Sequence, residues 1–237
     1  MQARKLPAGY LPLAFGGAVA TALTLAALRL AGLDHRSAAG LIGFSDPALF
    51  RLVIYSLWTA ATAVTLARLL RKHGFGPDAL GWEGKVRVSA GAGAMAALAA
   101  LATVMVWLPI DSLRGALGIP LYWDPAQQGF IRPRTLAEFA VAGAVGLILV
   151  PLSEETIFRG YVLQVVVHRL GVWPGLLAHN ALFALYHAGI GPGLPIYIFV
   201  WSFFPALLFL RYRSIYPPIL MHALNNVWVD FLLPILF

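Results

Sequence analysis

The chain has 237 residues, 60% of them hydrophobic and 11% charged, with a formal net charge of +7. Soluble domains carry about 25% charged residues, so the composition excludes an ordinary soluble fold and indicates an integral membrane protein. The basic excess does not point to nucleic acid, because Lys and Arg gather at the ends of apolar runs, where the positive-inside rule accounts for them. Cysteine is absent, which excludes disulfides, thiolate metal sites and a cysteine nucleophile.

Arg4 and Lys5 precede the apolar run Leu11–Leu33. That run is too long for a signal-peptide core and reaches the roughly 20 residues that a bilayer requires. Leu49–Leu70 reads as a second span, with Arg51 and Arg68 near its ends, where they can snorkel. The link Arg71–Arg87 carries Arg71, Lys72, Lys85 and Arg87 and is expected in the cytoplasm. Val88–Ile110 is the third predicted span. Its stripes Ser89, Gly93, Ala97 and Ala92, Ala96, Ala100 have the spacing that lets helices pack closely. Asp111–Thr135 is the longest polar link, interrupted by Pro120, Pro125 and Pro133, with a short interfacial helix expected around Tyr122 and Trp123.

Leu136–Leu170 as one straight helix would be about 50 Å long at about 1.5 Å per residue, so Pro151 is expected to kink or divide it. Trp173–Ala188 follows, then a break at Gly189, Gly191, Pro192, Gly193 and Pro195. Ile196–Leu210, the basic pair Arg211 and Arg213, and Tyr216–Phe237 complete the chain. The predicted fold is all-α, a polytopic transmembrane bundle of about seven to eight spans around a polar intramembrane cavity. Seven crossings with a cytoplasmic N-terminus put Arg71–Arg87, Arg169, Arg211 and Arg213 inside, and Arg114, Arg132 and Arg134 outside, against the trend. Residues 1–135 are expected to be helices without motifs, and 136–237 the helical core that carries the chemistry, within one membrane domain.

A charge inside a bilayer costs roughly 3 kcal/mol or more, so Glu154, Glu155 and Arg159 in the segment Pro151–Gly160 require a reason. Glu155 and Arg159 are i,i+4 neighbours with the acid N-terminal to the base, the better order for an ion pair. Glu154 lies about 100° further round a helix, which leaves one carboxylate over as the functional candidate. Two further clusters are Phe183-x-x-x-His187, with His179 one turn earlier, and His222-x-x-x-Asn226. A lone histidine in an apolar helix is ordinarily a hydrogen-bonded packing residue. Three such clusters in one small bundle are explained most economically by convergence on one cavity, since each buried polar group needs a partner.

The order Glu-Glu-x-x-x-Arg, Phe-x-x-x-His, His-x-x-x-Asn on separate apolar spans resembles the CPBP intramembrane proteases. These are the CAAX-protease and bacteriocin-processing (Abi) family, which includes the Rce1-like prenyl-protein endopeptidases. The resemblance covers about Leu136–Trp228. It implies an endopeptidase acting in the membrane on a membrane-associated protein or peptide, with the lipid bilayer as its setting and no nucleic acid. By position it implies Glu154 as catalytic acid and base, Glu155 and Arg159 with Phe183 as its support, and His187 as a holder of the water. His222 and Asn226 would then face the scissile carbonyl, while His179 and Asn225 match no motif position and are expected to pack or support.

Elementary chemistry agrees. Peptide hydrolysis without a nucleophilic side chain needs a water, a base beside it and donors for the oxyanion. Ser153 and Ser202 lie in no Gly-x-Ser-x-Gly setting, and no His-Glu-x-x-His is present. Glu154, His187 and His222 could alternatively hold one divalent metal, since carboxylate and imidazole suit zinc. The favoured expectation is a metal-free water, because the amide of Asn226 is a poor zinc ligand and Arg159 disfavours a nearby divalent cation. Two other classes compete: an ion-coupled carrier using the same buried cluster, for which repeat symmetry is lacking, and a non-catalytic immunity or scaffold protein. The alanine-rich, cysteine-free chain has a bacterial character, which places the expected location in a bacterial cytoplasmic membrane.

Overall fold

Capping and proline placement set where the helices begin. The computed structural model describes residues 5–82, 89–123 and 131–232, all but the side chain of Asp230. Arg4, Lys85, Arg87, Val88, Pro125 and the end of the last predicted span, 233–237, lie outside the described residues. Helix α1 (Ala8–Leu30) starts with a tight 3-10 stretch that accommodates Pro12. Asp34 caps α2 (His35–Leu41) by accepting the backbone N–H of Ser37, and this bond holds its carboxyl below the ordinary carboxylate range. Asp46 caps α3 (Pro47–Lys72), whose first residue is a proline pre-set for a helix start. Ser89 caps α4 (Ala90–Ala116), and Thr135 with Glu138 makes a reciprocal capping box on α5 (Leu136–Leu170). Helices α6 (Val172–Tyr186), α7 (Leu194–Tyr212) and α8 (Tyr216–Asn226, widening to a π turn over Val227–Leu232) follow.

All regular elements among the described residues are helices, and α1, α3, α4, α5 and α7 are long and apolar enough to cross a membrane. The protein is an all-α membrane bundle. Helix α5 is its central strut: from Val150 to Leu163 only Leu152 escapes full burial. It stays helical through Pro151 over its whole length, so it is not divided there. A π turn over Ala144–Leu149 precedes the proline. Widening the turn relieves the clash of the ring with the carbonyl one turn back and absorbs the missing N–H. A second π turn, Phe158–Leu163, contains Arg159.

Two details of the polar link differ from expectation. Helix α4 runs on through Asp111 to Ala116, because Asp111 and Arg114 pair at 2.7 Å along the helix and so do not end it. Around Tyr122 and Trp123 the chain is not helical; instead it hugs the α6–α7 turn. Trp123 Nε1 donates to Ala188 O at 2.8 Å, and Gly193 N donates to Pro120 O at 3.1 Å. Gly191 is required there, since a Cβ would come 2.0 Å from Leu121 O. Of the two small-residue stripes on α4, Ala92, Ala96 and Ala100 are buried and continue to buried Thr103, on a helix packed against α8, while Ser89 and Ala97 are exposed.

The bundle has two distinct ends. At one, Ile215 N donates to Gly81 O at 3.0 Å and Gln164 Nε2 to Ala79 O at 2.8 Å. These bonds draw the basic residues Arg71 and Lys72 and the Arg211–Arg213 turn to a common face. At the other, Asp46 accepts from Arg132 N, and Glu138 accepts from the backbone of Ser45 and Arg134. Between them lies a polar layer that the apolar helices enclose.

Candidate active site

Helix α5 carries Glu154, Glu155 and Arg159, exposed by only 1%, 0% and 0%. A buried ion pair is stable only with good geometry and further hydrogen bonds, and each member of the Glu155–Arg159 pair makes one beyond the pair itself. Arg159 Nη1 lies 3.0 Å from Glu155 Oε1, the i,i+4 pair that the spacing predicts. Its Nη2 donates to Ser202 Oγ at 2.9 Å. The guanidinium sits 4.3 Å over the Phe183 ring and 5.3 Å from that of Trp201, a desolvated cation–π arrangement of up to about 2 kcal/mol. Ser202 is well placed to accept because α7 breaks there, where Pro205 has no N–H for the carbonyl of Trp201.

Glu155 Oε1 also accepts from His222 Nδ1, at 2.7 Å. An ionised carboxylate only accepts, so Nδ1 carries the hydrogen and the ring is locked in one orientation. The Trp201 ring braces His222 from the side, at 4.9 Å between centroids. Glu155 therefore joins α5 to α8 through one oxygen.

His187 ends α6, and its position follows from how that helix stops. Its backbone N–H bonds back to Ala184 O, three residues earlier, rather than to Phe183 O. The freed Phe183 carbonyl accepts instead from His187 Nδ1 at 2.9 Å. A carbonyl can only accept, so Nδ1 is the protonated nitrogen and Nε2 is the one turned to Glu154, 3.9 Å from Oε2. Phe183 thus acts twice, with its ring under Arg159 and its carbonyl on His187.

Glu154 is held differently from its neighbour. Its Oε1 accepts from the hydroxyl of Tyr55 on α3, while its buried Oε2 has no hydrogen-bond partner among the described residues. Behind Tyr55, the Tyr186 hydroxyl and Thr59 Oγ1 lie 2.8 Å apart, and Thr59 donates to Tyr55 O at 2.8 Å. Asn226 reaches the first π turn of α5, where its Nδ2 donates to Gly146 O at 2.8 Å. Its neighbour Asn225 accepts from Thr103 Oγ1 at 2.9 Å and ties α8 to α4. His179 bonds Asn180 at 2.9 Å and stacks on Phe183, within the packing.

The structure therefore brings Glu154 to His187, and Glu155 to Arg159 and His222, with Phe183 between the two groups. Tyr55, Tyr186, Thr59, Trp201 and Ser202 join them unforeseen. One signal existed: Tyr55, Thr59 and Thr62 repeat at helical spacing in an otherwise apolar span. Among the described residues no three His, Cys, Asp or Glu side chains stand together as a metal-ligand group. Glu154, His187 and His222 are thus not gathered into the three-ligand arrangement usual for catalytic zinc, although the contacts of Glu154 Oε1 with Tyr55 and of His222 Nδ1 with Glu155 occupy neither Glu154 Oε2 nor His222 Nε2.

Removing Arg159 would leave Glu155 a buried, poorly compensated charge. Arg159→Ala is expected to cost roughly 3–5 kcal/mol, read as a lower melting temperature and yield in detergent. Arg159→Lys, which keeps the charge but not the planar fork, should fall between. Normal melting of the alanine variant would refute the structural role of the pair.

Residues 136–228 match the family model described as type II CAAX prenyl endopeptidase Rce1-like. Neither the comparison with curated proteins nor that with solved structures gives a match. The matched stretch contains Glu154, Glu155, Arg159, Phe183, His187, His222 and Asn226, and leaves Tyr55 outside. The likeness to the Rce1-like endopeptidases is carried by residues 136–228.

Proposed function

We propose that the protein is a CAAX-type intramembrane endopeptidase that cleaves a membrane-associated protein or peptide with a water activated between Glu154 and His187. The observation that carries this reading is the unpartnered, buried Oε2 of Glu154 facing His187 Nε2 at 3.9 Å. With Nδ1 protonated, a neutral His187 offers a lone pair at Nε2, and the carboxylate offers another. Two acceptors so placed suit a water that donates one hydrogen to each.

The water oxygen attacks the scissile carbonyl carbon as Glu154 takes a proton through Oε2. The developing oxyanion needs donors from the opposite wall, and α8 supplies candidates in Asn226 and His222. Neutral His222, with its hydrogen at Nδ1, has no N–H at Nε2. It donates there only as the imidazolium. When the tetrahedral adduct collapses, Glu154 returns its proton to the departing amine, which restores the carboxylate. Arg159 stays out of the reaction and holds Glu155 in place.

The direct test uses protein purified in detergent and a quenched fluorescent peptide ending in a farnesylated CAAX sequence. Glu154→Gln keeps the shape and removes the base, so cleavage should fall by roughly 10²-fold or more at unchanged expression. Near-normal cleavage by that variant would remove Glu154 from the role of base.

The same reading treats the reaction as metal-free. Elemental analysis of active protein should find no stoichiometric metal, and activity should survive exhaustive chelation. One zinc per chain, with activity lost on stripping and regained on zinc addition, would overturn this and make His222 a ligand.

For orientation we propose that the end bearing Arg71, Lys72, Arg211 and Arg213 is cytoplasmic, with the N-terminus on that side. Cysteines introduced at Gly76 and Ser214 should be labelled only from the cytoplasmic side. Labelling of both from outside would invert the topology.

A further inference from the structure

We infer that Tyr55, on a helix outside the Rce1-like stretch, is a positioning residue that commits one oxygen of Glu154 and thereby selects the other as the base. The inference rests on the proteolytic reading above and adds a residue that none of its motifs contains. A carboxylate has two equivalent oxygens, and unless something distinguishes them the side chain can present either to a water. Here the Tyr55 hydroxyl occupies Oε1, and Oε2 is left facing His187 Nε2.

The direction of each hydrogen bond is determined. Thr59 Oγ1 gives its hydrogen to Tyr55 O, so in its contact with Tyr186 it can only accept, and the Tyr186 hydroxyl donates to it. The hydrogen of Tyr186 is therefore spent on α3. Tyr55, facing an ionised carboxylate, must be the donor in its own contact. The Tyr55 and Tyr186 rings lie 5.9 Å apart, and Tyr186 packs on Phe158 of α5 at 4.9 Å. The Tyr55 phenol is thus backed by the Tyr186 ring of α6, which is itself fixed by its bond to Thr59 and by Phe158. A bond to a charged group is also among the stronger kinds, so its loss should be felt.

The simpler alternative is that a buried tyrosine hydroxyl merely needs an acceptor. The two roles separate in a double-mutant cycle. Steady-state cleavage of the farnesylated CAAX peptide and of fluorescent casein is compared for wild type, Tyr55→Phe, Glu154→Gln and the double variant, each with a melting curve. A positioning role lowers kcat of Tyr55→Phe by about tenfold or more, the worth of one hydrogen bond to a charged group, with KM and melting temperature nearly unchanged. It also vanishes in the Glu154→Gln background, where the double variant should be no slower than Glu154→Gln alone. A structural role instead lowers the melting temperature, leaves kcat per folded molecule intact or adds independently to Glu154→Gln, and would overturn the inference. If Glu154→Gln is impaired while Tyr55→Phe cleaves normally, the assignment of Tyr55 fails alone. If wild type cleaves neither substrate, or Glu154→Gln cleaves like wild type, the proteolytic reading fails and the role of Tyr55 fails with it.

Discussion

One carboxylate oxygen holds the centre of this bundle. Glu155 Oε1 takes both Arg159 Nη1 at 3.0 Å and His222 Nδ1 at 2.7 Å, and all three side chains are buried. Neither the acid nor the base is tolerable alone at that depth, because the desolvation of either would exceed what one neutral hydrogen bond returns. Together they are stable only if the remaining donors of Arg159 are also met. Ser202 takes the Nη2 donor and the rings of Phe183 and Trp201 lie against the guanidinium, and in doing so draw α6 and α7 onto α5. The fold and the site are consequently one object: the contacts that neutralise the charge are those that bring four helices together.

Placing two glutamates side by side on one helix divides their work. Successive residues point about 100° apart, so Glu155 faces α7 and α8 while Glu154 faces α3 and α6. The first accepts from both Arg159 and His222 on one oxygen, in an ion pair, and is suited to hold shape. The second receives a single neutral hydroxyl on Oε1 and keeps Oε2 free, which is what proton transfer requires. The π turn over Phe158–Leu163 begins just after this pair and alters the angle at which Arg159 leaves the helix. Such turns recur at functional sites because they re-aim side chains without breaking the helix.

Much of this was legible in the sequence, for identifiable physical reasons. Hydropathy marked the long spans because lipid tolerates only helices with satisfied backbones, and the i,i+4 rule identified Arg159 as the partner of Glu155. Spacing within one helix says nothing about which other helix arrives opposite. Hence the bond from His222 to Glu155 was not foreseen, and Ser202 and Tyr55 were invisible as partners. The polar link was misjudged for a local reason. Asp111 and Arg114 look like a helix end when counted as charges, yet three residues apart they neutralise each other on the helix face. The π turn before Pro151 was equally hidden, because the proline signals a disturbance without saying how the backbone absorbs it.

The N-terminal helices carry no motif, yet they are more than a membrane anchor for the site. Helix α3 lies along α5 and lends it Tyr55, and Tyr186 of α6 leans back on Thr59 of the same helix. The carboxylate that would act as base is therefore braced by a helix outside the Rce1-like stretch and paired with a histidine inside it. A motif read along one segment records the groups that must be acidic or basic. The neutral hydroxyls that aim them can come from any helix that packs close enough, because a hydrogen-bond donor places few demands on the surrounding sequence. On that reading, such donors would decide which of two chemically identical oxygens is free to react.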